Sequence, residues 1–472
     1  MMNEKTVLAA TGPARRAVLA AFAVGATGLA LTACSGPASS KAAGTGVSGT
    51  LNLWYSLPTS GSSSDAAVKY KKYSIDPFTR LHPAVTVNAV PNNVNTIDQK
   101  IKVALAAGAG PDIIPTPGSA NAVPYAQAGY LADLTPEAKK NKWADTILPW
   151  ALNMGYIKGK LVALPTSYES LVLYYNKTLF DKNGWTPPTD RASLESLMSQ
   201  MKAKGIIPFA AGNASYQPAT EWLVSAFMNE VAGPQKVHDA IAGTIKWSDP
   251  ALVQSISLLL QYFDAGYFGG GTKQYFSTQD PQKYAGFADG KSAMYISGSW
   301  EMYTFPDYFG KGGNTAEWAW APLPPLADGV PQGVFPLSVG GTISVNAKSP
   351  NVKSGKAYVD WLFSDTKTMW QQVKQTGSEP LPIKYQPSDV PTGVDPRYVA
   401  QYTAINDAST SGKVGYVTWT SFGGAADTYI IQHIDKVLNH SLTVDAFISG
   451  LQQAFDADKA AGLIPPLFDT KA

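Results

Sequence analysis

The sequence predicts an α/β fold in which helices cover a sheet, and three observations carry that prediction. The valines of Ala84–Val90 alternate as a half-buried strand requires. Ile97, Ile101 and Leu105 then follow at helical spacing, with Gly108 where a helix C-cap belongs. The stretch PDIIPT from Pro111 is a short apolar run bounded by prolines, as a buried strand would be. Strand, helix and strand in close succession are the rhythm of a helix-covered sheet.

The elements can be taken in chain order. Lys5, Arg15 and Arg16 precede an uncharged stretch from Ala17 to Leu31, the build of a secretory signal. That stretch is shorter than the roughly 20 residues a spanning helix needs. It ends in Leu31-Thr32-Ala33-Cys34, which resembles the bacterial lipobox, and Cys34 is the only cysteine of the chain. Residues 1–33 are therefore expected to be a lipoprotein signal peptide, with Cys34 as the acylated residue of an extracytoplasmic protein held at the cell membrane. Arg15-Arg16 leaves the export route open. Residues 34–49, small and Gly/Ser/Ala-rich, are expected to form a flexible tether. Their GTGVSG string precedes the first strand, so it is not a dinucleotide loop, which must follow one.

Gly49–Ser56 is the first expected strand, followed by a Gly/Ser-rich loop from Thr59 to Ser64 and a helix through Tyr70–Arg80. The middle of the chain carries helical patterns at Leu194–Lys204, Trp222–Val231 and Val253–Phe263. Residues 322–336 are too proline-rich for an element interior and predict a connection. A strand at Gly341–Ala347, one helix over Lys356–Lys374 and a helical tail from Asp427 to Ala460 complete the reading.

Composition bounds function. Of 472 residues, 37 are basic and 35 acidic; losing Lys5, Arg15, Arg16 and Glu4 with the signal leaves the remainder neutral. A neutral chain has no electrostatic steering toward nucleic acid. Twelve Trp and 23 Tyr make it aromatic-rich, and such residues pair an apolar face with a polar tip that suits a wet recognition surface. The four histidines are scattered without ligand spacing, so no metal is expected, and no cofactor-binding loop or nucleophile elbow is present. Two carboxylates across a sugar bond would suffice for glycoside hydrolysis, and spacing along the chain does not exclude them.

Six strings in order, FTRLHPAVTV, ALAAGAGPDII, YAQAGYLADLT, LPTSYESLVLYYNKTLF, FADGKSAMYISGSW and VGGTISVNAKSPN, resemble the extracellular solute-binding proteins of bacterial ABC sugar importers. The resemblance implies a two-lobed periplasmic-binding-protein-like fold of type II, with several hinge crossings and a ligand cleft between the lobes. The N-terminal lobe would take residues 50–167 and 338–378, the C-terminal lobe 168–337 and 379–472. It implies a non-enzymatic, monomeric receptor whose partners are a mono- or oligosaccharide and the permease subunits of the membrane.

Matched residue by residue, the resemblance places Glu169, just before Tyr175-Asn176-Lys177, at a sugar-contacting carboxylate. Trp300 falls at an aromatic position, and Trp222 and Gln217 at a second aromatic and the polar residue five before it. After PDII the contacting positions carry Thr116, Ser119 and Asn121, and near the C-terminal helix Asp427 replaces an aromatic, with Trp419 close by. Tyr55 and Gly341 complete the candidate ligand set. The set departs from that of maltodextrin-binding members. A glycan-cleaving enzyme using Glu169, or a receptor of the same fold for a non-sugar solute, remains the alternative.

Overall fold

The computed structural model describes residues 46–57, 63–93 and 96–468. The signal segment, Cys34 and nearly all of the expected tether lie outside these residues, as does part of the loop after the first strand. Eleven strands are described: β1 (Gly49–Leu57), β2 (Val85–Asn93), β3 (Ile113–Thr116), β4 (Tyr156–Ile157), β5 (Lys160–Leu161), β6 (Leu164–Asn176), β7 (Ile207–Phe209), β8 (Ser292–Gly298), β9 (Trp318–Ala321), β10 (Phe335–Val345) and β11 (Val414–Tyr416). Nine of them join in the order β2-β1-β3-β10-β6-β8-β7, with β11 added to β10 and β9 to β6. β1 and β2 are parallel, with Gly49 opposite Val85, so the intervening helices form the crossover that a parallel pair needs.

Two long strands hold the sheet together by changing partners along their length. β6 pairs with β10 up to Ser170 and with β8 and β9 from Leu171 onward. β10 pairs with β11 through Leu337 and with β3 from Thr342, and its register against β6 shifts between Ser338 and Gly341. Each strand thus carries the chain from one half of the sheet to the other. A third passage runs through Ser378–Ile383. The Tyr398 hydroxyl donates to the Ser378 carbonyl at 2.5 Å, and four residues later the Leu148 amide donates to the Pro382 carbonyl at 2.8 Å.

β6 is apolar over most of its length because both of its faces are covered. Tyr174 is wholly buried and donates to the Gly298 carbonyl at 3.0 Å, whereas Tyr175 is half-buried against Phe180. Adjacent tyrosines face opposite sides, as strand alternation requires.

Some sequence expectations need correction. The single helix over Lys356–Lys374 is two, Val352–Ser364 and Thr366–Thr376. Asp365 divides them, because its carboxylate accepts from the Thr368 amide at 3.0 Å and so caps a new helix. The helix expected from Tyr70 begins at Ser63 and passes through a π turn, Lys71–Ile75, before Asp76–Leu81. Residues 335 and 336 of the expected connection already belong to β10. The β4–β5 hairpin was not foreseen; its two-residue turn places Lys158 and Gly159 at φ 50° and 76°, the left-handed pair that a tight hairpin needs.

Candidate functional site

The ends of several elements bring four aromatic side chains into one row. Tyr216 stacks on Trp222 with centroids 5.7 Å apart, Trp222 meets Trp300 at 5.0 Å, and Trp300 meets Trp419 edge-on at 6.0 Å. Trp222 comes from the helix Ala219–Phe227, Trp300 from the 3₁₀ turn Ser299–Tyr303 that follows β8, and Trp419 from the short helix Thr418–Ser421 after β11. All four rings are half-buried, unlike Trp143, Trp247 and Trp370, which the core encloses. Trp300 lies directly over the backbone of Gly298, where a Cβ would sit 2.0 Å from the indole Cζ3. Glycine at that position is therefore what admits the ring.

Two helices that line the row are pinned to each other. Asp435, on the helix Gly424–Leu438, accepts from the Thr220 hydroxyl at 2.7 Å and from the Asn213 amide at 2.9 Å, and the Tyr275 hydroxyl meets Thr220 at 2.8 Å. The first turn of that helix carries Asp427. Its amides at Ala425 and Ala426 donate to the buried Asp458 carboxylate at 3.1 and 2.8 Å, which complements the helix N-terminus. Asp427 lies beside Glu221, whose carboxylate accepts from the Thr418 hydroxyl at 2.9 Å. Burial, then the charge of Asp427, raises the Glu221 carboxyl well above its usual range, and burial raises Asp427 too. A carboxyl kept protonated by burial can donate to a hydroxyl, and a carboxylate beside it can accept from one.

The facing wall comes from the first part of the chain. Ser119 opens the helix Ser119–Gln127 and is fully buried, with no hydrogen-bond partner for its hydroxyl among the described residues. Gly118 before it packs so closely that a Cβ would lie 3.0 Å from the Trp419 carbonyl. Asn121 follows, half-buried. Thr116 is committed internally, bonded to the Thr342 hydroxyl and donating to the Gly118 carbonyl at 3.0 Å. Asp98, on the helix Ile97–Ala106, is raised by burial to about 6. Its charge acts on Tyr216 together with those of Glu221, Asp427 and Glu169, which raise that phenol after the larger effect of burial.

Asp98 supplies a pH prediction. Its folded pKa lies above its unfolded value, so the folded state holds the extra proton, and stability falls as pH rises from about 4 to about 6. Denaturation midpoints across that range are expected to decline in the wild type and to be flatter in Asp98→Asn.

Other candidates have different surroundings. Glu169 is buried at the partner change of β6 and accepts from the Ser338 hydroxyl at 2.9 Å, and burial raises its carboxyl. Its carboxylate lies over Gly340, where a Cβ would be 1.4 Å from Oε1. Tyr55 is buried and stacks flat on Tyr70 at 3.9 Å, so that ring face is spent within the protein rather than open to a ligand. Gln217 donates to the Ile431 carbonyl at 2.6 Å, which commits its amide to the neighbouring helix. Gly341 serves close packing of β10 on β6, where a Cβ would lie 2.9 Å from the Thr166 hydroxyl. Sequence reasoning missed Tyr216, Glu221 and Glu379. Glu221 stands beside Trp222 and Tyr216 one residue before Gln217, but nothing local marks Glu379.

Among the described residues no group of three or more His, Cys, Asp or Glu side chains is placed to hold a metal ion. None of the described helices is long and apolar enough to cross a membrane.

Residues 74–392 match the family described as bacterial extracellular solute-binding protein. A probable sugar-binding periplasmic protein of Mesorhizobium japonicum is 37% identical over 113 residues, 24% of this chain and 26% of that protein. The diacetylchitobiose binding protein of Streptomyces coelicolor is 30% identical over 163 residues, 34% of each chain. The chain thus aligns with about a third or less of the length of these two relatives. Among solved structures, a chitin oligosaccharide binding protein superposes with a TM-score of 0.74 at 22% identity, covering 88% of this chain and 100% of the other. The GacH receptor of Streptomyces glaucescens, solved unliganded and with acarbose, gives 0.68 at 23% identity, covering 89% and 99%. The fold they share with this chain is a two-lobed α/β fold.

Proposed function

Because the chain belongs to the bacterial extracellular solute-binding proteins, we propose that it is the receptor of an ABC sugar importer, which closes on a mono- or oligosaccharide and delivers it to a permease. The row Tyr216–Trp222–Trp300–Trp419 beside the Glu221–Asp427 pair carries this reading. A pyranose has an apolar C–H face and hydroxyl-crowded edges, and half-buried indoles with adjacent carboxyls match both. Ser119 and Asn121 would meet the sugar from the facing wall, where an unpartnered buried hydroxyl otherwise costs stability. The names of the relatives support a carbohydrate ligand and make diacetylchitobiose the first to test.

The receptor works without breaking bonds, as a carrier, and acts as a monomer. The lobe boundaries proposed near 167/168, 337/338 and 378/379 are supported by the partner changes of β6 and β10, which fall close to the first two. Residues 1–33 would be the signal peptide, and a lipid on Cys34 would hold the receptor at the cell membrane beside its permease, with residues 34–49 as the tether.

Tryptophan fluorescence and thermal shift of the exported domain against a panel of chito-, malto- and xylo-oligosaccharides and their monosaccharides test the reading. A ligand at one hundred times its dissociation constant is expected to add about 2.7 kcal/mol of stability. Silence across the panel would overturn the assignment to sugars.

A further inference from the structure

Trp300 sits at the middle of the aromatic row, yet neither a strand nor a long helix carries it; the 3₁₀ turn Ser299–Tyr303 does. What fixes that turn therefore fixes the ring. The residues on either side of Trp300 are wholly buried and bonded to the sheet. Ser299 accepts from the Ser170 amide of β6 at 3.3 Å. Glu301 turns back onto β8, where its Oε1 accepts from the Ser297 hydroxyl at 2.6 Å and from the Tyr295 hydroxyl at 2.8 Å.

Tyr295 and Ser297 stand two apart on β8, so they share one of its faces, and Gly298 belongs to the other. Trp300 lies on the Gly298 side, where its ring occupies the space a Cβ would take. The turn is thus wrapped around the end of the strand, with the acid gripping one face and the indole laid on the other. Glu301 Oε2 has no hydrogen-bond partner among the described residues, so both grips pass through a single oxygen.

We propose that Glu301 is a positioning residue of the site: its two hydrogen bonds to β8 set the backbone of the turn, and with it the angle at which Trp300 meets Trp222 and Trp419. Being wholly enclosed, Glu301 touches no ligand itself. The consequence for sugar affinity rests on the receptor reading above; the consequence for ring geometry does not.

Three variants separate positioning from stability. Glu301→Gln keeps an oxygen acceptor for both hydroxyls and changes only the atom that has no partner. Tyr295→Phe removes one grip and leaves the ring in place. Glu301→Met combined with Tyr295→Phe and Ser297→Ala replaces all three partners by apolar groups, a change that can leave stability nearly untouched. Lys283, whose Nζ lies 5.1 Å from the Tyr295 ring centroid, keeps its ion pair with Asp280 at 2.8 Å throughout.

The readout is the exciton couplet in far-ultraviolet circular dichroism from the Trp222–Trp300 pair, whose rings are 5.0 Å apart and inclined by 59°. It is identified as the signal lost in both Trp222→Phe and Trp300→Phe, and denaturation midpoints are recorded beside it. Glu301→Gln is expected to retain the couplet and the affinity for whichever panel sugar binds, and Tyr295→Phe to weaken the couplet in part. The triple variant is expected to keep a midpoint close to wild type, lose the couplet and bind that sugar about tenfold more weakly. An unchanged couplet in Tyr295→Phe or in the folded triple variant would overturn the positioning role and leave the sugar assignment standing. Loss of the couplet in Glu301→Gln would overturn it too, since both hydrogen bonds remain there. A couplet lost in the triple variant alone, with a silent sugar panel, would support the positioning role and overturn the sugar.

Discussion

Replacing Trp300 with alanine is expected to lower sugar affinity about thirtyfold or more, the loss that follows when a central aromatic anchor is removed. Trp300 sits between Trp222 and Trp419, so its loss also removes the contact that aligns the row. Stability is expected to fall by less than a core tryptophan would cost, since the ring is half-buried rather than enclosed. Titration calorimetry with the ligand found by the panel reads the first effect, and chemical denaturation the second. Trp300→Phe is expected to retain most of the affinity, because a smaller ring still covers the apolar face of a sugar. Unchanged affinity in Trp300→Ala would remove the aromatic row from the site.

The second large effect concerns Gly340. A Cβ there would stand 1.4 Å from Glu169 Oε1 and 2.0 Å from its Cδ. The end of a glutamate can usually swing aside, but this one is buried and held by the Ser338 hydroxyl. Moving it breaks a buried hydrogen-bonded set, so Gly340→Ala is expected to cost about 3 kcal/mol, at the upper end for an overpacked site. Glu169→Ala in the same chain is expected to return part of that loss, because the added methyl then fills the space the carboxyl leaves. The coupling energy of the double-mutant cycle, measured by denaturant unfolding, decides the matter. Additive losses would mean that the carboxyl has room to move.

The two regions differ in how far they could be read from sequence. Trp222, Trp300, Trp419 and Asp427 were all expected at the site, and the structure brings them together with Tyr216 and Glu221. The small residues Ser297-Gly298-Ser299 before Trp300 predict room for an indole, and Gly298 does provide that room. Tyr55 was expected to face a ligand; its stacking partner Tyr70 arrives from a helix fifteen positions away, and nothing in either segment announces that contact. Gln217 was expected to face a ligand, and its side-chain amide donates to the Ile431 carbonyl of the neighbouring helix.

Glu169 shows where sequence stops. Its position at a strand mouth marked it as an acid with a purpose, and that purpose could have been catalytic, sugar-binding or merely solvated. By itself the sequence determined the α/β rhythm, because strand and helix periodicities are local properties of residues two to four apart. It also determined which aromatic side chains were available to a cleft. Only the tertiary structure decided what each polar group faces. Glu169 and Ser338 lie 169 residues apart, and their hydrogen bond depends on β6 and β10 meeting where both strands change partners. No local pattern encodes such a meeting, since the energy that sets it belongs to the packing of distant segments rather than to either residue.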